Sequence, residues 1–175
     1  MESEFHGKVD PVMCDPDLVW EKFDTLEDFI CDVFVHQGVP EEDARICAKV
    51  LITADKRGID SHGVARMKTI YYDRIKIGVQ KAKVPMEVVR DTCAVAVVDG
   101  HDGMGHAIGH KCMMMAIEKA KTYGMGMVVC RNSTHYGAAG YHALLVRCGS
   151  SSTDCASAVA TDLLRSSRQW DSRSL

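Results

Sequence analysis

Apolar residues recur at helical spacing through the first half of the chain and gather into short valine-rich runs in the second. From Asp17, a stripe of Leu18, Phe23, Leu26, Phe29, Ile30, Val33 and Phe34 predicts a helix that Gly38 stops. Pro40 followed by Glu41, Glu42 and Asp43 opens a second helix, because proline fits a first helical turn and carboxylates suit the positive end of the helix dipole. Its apolar face carries Ala44, Cys47, Val50, Leu51 and Ala54, and it ends near Gly58. The spacing of Met67, Ile70, Tyr71, Arg74 and Ile75 predicts a third helix from Val64 to Ile77, closed by Gly78.

After Pro85 the period changes. The segments 86–91 and 92–100 read as two strands joined by a turn at Asp91 and Thr92. A glycine- and histidine-rich stretch follows at 101–110, then a helix ending at Gly124, an apolar strand at 125–131, and a loop at 131–145 that feeds a new helix. Strand, helix, strand, helix is the order of a layered α/β unit. The texture breaks again at Ser150, from which point eight residues are serine against three in all that precedes, and every basic residue is arginine. The expected organisation is therefore a flexible lead-in at 1–16, a helical segment at 17–84, a partial α/β unit at 85–149 and a disordered Ser/Arg-rich tail at 150–175.

Composition narrows the function classes. The 175 residues are 46% hydrophobic and 26% charged, with a net charge of −3, which gives no basic field for nucleic acid. No apolar run approaches the roughly 20 residues of a membrane span, and the N-terminus does not resemble a secretory signal. Eight cysteines without a short regular framework read as reduced, buried thiols of a cytoplasmic protein.

Two segments carry candidate chemistry. In Gly58–Arg66, His62 and Arg66 are four residues apart at a helix junction. A histidine trades a proton near neutral pH, and an arginine grips a carboxylate at two points, so the pair suits an acid whose neighbouring oxygen gains or loses a proton. In Arg131–Tyr141, His135 precedes Tyr136, Gly137, Ala138 and Ala139, small residues that admit close backbone approach before a helix start. His106 and His110 are four apart, but no HExxH glutamate or telling third ligand accompanies them, so they are expected to be ordinary surface or loop histidines and no metal is expected. Met113, Met114 and Met115 are expected in the core, and Cys130 is expected to be buried rather than nucleophilic.

The order GIDSHGVARM, then a DG-x-x-G-x-G element, then RNSTHYGAAGYHA, resembles the type-2 malate/L-lactate dehydrogenase family over about Leu18 to Ala143. The resemblance implies an α/β fold that is not Rossmann, NAD or NADP as cofactor, hydride transfer between a 2-hydroxy acid and its 2-oxo acid, and a homodimer. Carried over by position, it implies His62 and His135 as proton-exchanging residues, Arg66 as the substrate clamp, and Tyr136, Gly137, Ala138 and Ala139 as cofactor contacts. Which histidine is the base stays open, as does NAD against NADP. Because the resemblance stops before the serine-rich stretch, the chain is expected to be C-terminally truncated. The alternative is a non-catalytic fragment that pairs with a full-length subunit.

Overall fold

Ile30, Cys31 and Phe34 of one helix meet Ala44, Cys47, Ala48, Leu51 and Ile52 of the next, and all are buried. Removing a side chain as large as Phe34 or Leu51 from water stabilises the fold by about 1.5–3 kcal/mol each. The computed structural model describes residues 21–149 and 158–162. The two helices are α1 (Phe23–His36) and α2 (Glu41–Asp55). Gly38 ends the first in the left-handed region at φ 86°, and Pro40 caps the second ahead of its three acidic residues.

The third predicted helix departs from expectation. Asp60–His62 and Val64–Arg66 are 3₁₀ turns, Met67–Tyr72 is a π-helical turn, and only Asp73–Lys76 (α3) is α-helical. The reason is local. The Asp55 side chain takes the N–H of Val64, and Gly63 is extended between the two tight turns, so the chain enters without an α-helical first turn. Tyr71 still lands in the helical core, fully buried, with Met67, Ile70 and Ile75 packed beside it.

The second half builds a four-stranded sheet from β1 (Glu87–Asp91), β2 (Val95–Asp99), β3 (Gly126–Arg131) and β4 (Ala158–Asp162), ordered across the sheet as they are along the chain. β1 runs antiparallel to β2 with a register shift between Val88 and Arg90, whereas β2, β3 and β4 are parallel. The Ser/Arg-rich segment expected to lack order thus supplies a strand at Ala158–Asp162. That stretch carries β-branched Val159 and Thr161 and finds an open parallel edge at β3. The rest of that segment and the lead-in lie outside the described residues.

Helix α4 (Gly105–Tyr123) joins the two halves. Ile108, Cys112 and Ala116, spaced four apart, face Ala96, Val98, Val128 and Cys130 of the sheet, while Met104 and Ala107 belong to the core of α1 and α2. The mixed α/β class with helices first is as the sequence predicted. α4, however, begins within the glycine- and histidine-rich stretch, so His106 is fully buried and His110 half-buried rather than on the surface. Of the three methionines, Met113 is buried and Met115 packs on the sheet core, but Met114 faces solvent. Cys130 is buried, as expected.

Candidate functional site

The loop that carries His62 is built on Asp55. Its carboxylate accepts the Val64 N–H at 2.8 Å, and burial raises its pKa while that N–H pulls it back. Ser61 Oγ lies 3.0 Å from His62 Nδ1, and Arg66 Nε donates to the Ser61 carbonyl at 3.0 Å. One peptide unit therefore ties the arginine to the histidine's own turn. The terminal nitrogens of Arg66, which supply a two-point grip on a carboxylate, make no hydrogen bond among the described residues. Asp55→Ala should remove this brace at a cost of about 1 kcal/mol, comparable to losing a helix cap. A lower urea midpoint with a broadened His62 imidazole signal would bear this out, and an unchanged His62 signal would show that the turn stands without it.

The second loop, between β3 and α5 (Ala139–Gly149), is fixed along the half that leaves β3. Arg131 Nε and Asn132 Nδ2 each donate to Asp99 Oδ2 at 2.8 Å. Burial alone would raise the Asp99 carboxyl, but the His101 N–H, the Asn132 amide and the Arg131 guanidinium together hold it below the usual carboxylate range. Further along, Thr134 Oγ1 accepts the Gly105 N–H at 3.0 Å and donates to the Gly103 carbonyl at 2.7 Å. The loop backbone rests on the first residue of α4, where a Cβ on Gly105 would lie 2.3 Å from the Thr134 carbonyl oxygen and 2.5 Å from that of His135.

These braces set the ring of His135. Its Nδ1 lies 3.1 Å from the Gly137 nitrogen and 2.7 Å from the Tyr71 hydroxyl. A backbone N–H only donates, so Nδ1 carries a lone pair, the Tyr71 hydroxyl is also a donor, and the neutral ring holds its proton on Nε2. Burial depresses the His135 pKa, and His62, Arg74 and Arg66 depress it further, which favours that neutral form. Burial raises the Tyr71 phenol, so it keeps its proton. Nε2 has no hydrogen-bond partner among the described residues. The rings of His62 and His135 are 5.7 Å apart between centroids.

The structure thus brings together His62, Arg66 and His135, which the sequence separates by some seventy residues. The four residues after His135 divide. Gly137 and Ala138 are buried and the Gly137 N–H is committed to His135, whereas Tyr136 is half-buried and Ala139 exposed. Sequence reasoning placed Tyr71 in a core but missed its hydroxyl's role, and it missed Thr134 and Asp99 altogether. The only signal for these was a polar group next to each glycine-rich turn. Among the described residues, no group of three or more His, Cys, Asp or Glu is placed to hold a metal ion, and no helix is long and apolar enough to cross a membrane.

Comparison with known proteins adds an independent line. The malate/L-lactate dehydrogenase family profile matches residues 22–150. A malate dehydrogenase of Pyrococcus horikoshii is 47% identical over 122 residues, which are 70% of this chain and 34% of that protein. An L-sulfolactate dehydrogenase of Methanocaldococcus jannaschii is 44% identical over 116 residues, 66% of this chain and 33% of that one. The crystal structure of malate dehydrogenase from Entamoeba histolytica superposes with a TM-score of 0.72 at 48% identity, covering 74% of this chain and 36% of its own. The chain spans about a third of the length of the curated relatives it matches. These relatives are named as dehydrogenases, which does not favour the alternative of a binding fragment.

Proposed function

Because the chain belongs to the malate/L-lactate dehydrogenase family, we propose that His62, Arg66 and His135 are the acid-handling part of a nicotinamide-dependent oxidoreductase that interconverts a 2-hydroxy acid and its 2-oxo acid. The observation that carries the reading is the Gly137 N–H and the Tyr71 hydroxyl on Nδ1 of His135, beside a second histidine and an arginine with open terminal nitrogens. Arg66 holds the substrate carboxylate. His135 points Nε2–H at the oxygen on C2, as a neutral donor that polarises a carbonyl or steadies a hydroxyl. His62, whose ring is only half-buried and whose Nδ1 is met by a hydroxyl able to donate or accept, exchanges the proton.

A bound nicotinamide would supply or take the hydride at C2. The loop fits such a group in part. Gly137 and Ala138 serve His135 from inside, while Ala139 and Gly140 at the start of α5 are exposed and a Cβ on Gly140 would meet nothing within 4 Å. Cofactor contact in this reading therefore falls on Tyr136 and Ala139. Residues 17–84 then form the helical part and 85–149 the cofactor part of a homodimeric, cytoplasmic enzyme using NAD or NADP. Buried Cys31 and Cys47 support a reducing compartment.

The test mixes the chain with NADH or NADPH and a panel that includes pyruvate and oxaloacetate, following nicotinamide absorbance and the imidazole signals of His62 and His135. Substrate should be reduced, and His62→Gln should lower the rate by about 10²–10⁴-fold, the usual contribution of a proton-transferring group. Acid added alone should shift both imidazole signals, and Arg66→Gln should abolish that response. A flat absorbance trace together with unresponsive histidines would overturn the proposal.

A further inference from the structure

We infer that His106 is the positioning residue that fixes the tautomer of His135. Its catalytic meaning rests on the function proposed above, but the inference itself concerns only how one ring holds another.

His106 is fully buried, and neither Nδ1 nor Nε2 has a hydrogen-bond partner among the described residues. A buried imidazole without partners is costly in a way that an aliphatic side chain is not, so the flat ring calls for an explanation. Its surroundings supply one. The Tyr71 ring lies 4.3 Å away between centroids, tilted by 43°. On another side sits Gly137, so close that a Cβ there would be 2.8 Å from His106 Cδ2 and 2.9 Å from Nε2. Tyr71 and Gly137 are the two groups that donate to Nδ1 of His135. One flat ring therefore backs both donors.

The outer sides of this assembly are closed by apolar groups. Phe34 meets Tyr71 edge-on at 6.4 Å, and Val50 Cγ1 would be 2.5 Å from a Cβ on Gly137. Tyr71 thus touches both Phe34 and His106, and Val50 and His106 both stand on the side of Gly137 where a side chain would project. Burial, with His135 and His142 nearby, keeps His106 uncharged, so it supports its neighbours by shape and does not draw the Tyr71 hydroxyl toward itself as a charge would. If this support is removed, the hydroxyl and the Gly137 N–H lose their common direction, and His135 is free to carry its proton on either nitrogen.

The experiment compares imidazole nitrogen and carbon shifts of His135 in the full chain and in His106→Leu, His106→Ala and Val128→Ala variants, with urea unfolding to establish that each is folded. Val128 lies in the sheet core, apart from the cluster that holds Tyr71. The expected result is a single Nε2–H pattern in the unmodified chain and in Val128→Ala, and a mixed pattern in whichever His106 variants fold. A pure Nε2–H pattern in a folded His106 variant overturns the inference, as does a mixed pattern in Val128→Ala, which would make the effect one of general loosening. Turnover should fall about tenfold with KM little changed, as expected when a catalytic group is misplaced while the acid clamp is intact. Absent turnover in the unmodified chain would count against the proposed function and leave the tautomer result standing.

Discussion

Gly137→Ala is expected to destabilise the protein by about 3 kcal/mol and to release His135 from its anchor. Two independent penalties add. Residue 137 sits in the left-handed region at φ 81°, where a side chain costs about 1–2 kcal/mol. The new methyl would also stand 2.5 Å from Val50 Cγ1 and 2.8 Å from His106 Cδ2, an overpacking worth about 1–3 kcal/mol. Neither neighbour yields easily, since Val50 and His106 are both fully buried. The backbone must shift instead, and the Gly137 N–H that fixes Nδ1 of His135 shifts with it. Urea unfolding should show a lower midpoint with an unchanged slope. A stability within a few tenths of a kcal/mol of the parent would mean that this loop is far softer than its packing implies.

Mild acid should weaken the fold well before the carboxylates titrate. Burial depresses the pKa values of His106, His110, His135 and His142, and that of His106 is pushed down to about 3. Like-charged neighbours add to the effect at the first three, whereas the Tyr136 carbonyl opposes it at His142. In the unfolded chain these rings take up protons near 6.5. The unfolded state therefore binds more protons below that pH, so the stability is complete above about pH 6.5 and lost as pH falls toward the folded values. A histidine protonated only when unfolded contributes about 1.4 kcal/mol per pH unit, which makes the loss at His106 alone about 2 kcal/mol by pH 5.

The depressed Asp99 carboxyl acts in the same direction but only below about pH 4, and the raised Asp55 carboxyl acts in the opposite one. The interval between pH 7 and pH 5 thus belongs to the histidines. Urea midpoints taken across it should fall steadily, and His106→Leu should flatten the slope. A midpoint constant from pH 7 to pH 5 would show that these rings are not buried in their neutral form.

Punctuation made most of the fold readable. Gly38, Pro40 and Gly124 mark where the backbone turns, and the valine runs mark strands, because both act through local conformation. What α4 faces is a tertiary matter. Histidines at 106 and 110 look like a polar helix face, and nothing nearby in sequence announces that a glycine loop and a tyrosine from distant segments close over the first of them. The same holds at the site. His62, Arg66 and His135 stand out by residue type, whereas the Tyr71 hydroxyl looks like any core tyrosine until its partner is known, and the π turn that carries it has the same apolar spacing as a regular helix. Val159 and Thr161 were lost in a serine-rich background that masks a short strand.

The sequential strand order has a consequence for biosynthesis. Each strand leaving the ribosome finds its neighbour already made, so the sheet can grow by addition at one edge without waiting for later segments. The helical hairpin at the N-terminus is different, since Met104 and Ala107 complete its core and it must wait for α4. The loop bearing His135 emerges later still, after β3. A nascent chain therefore displays His62 and Arg66 for as long as translation takes to reach residue 137, and the two histidine rings meet only after β3 and the loop behind it have emerged.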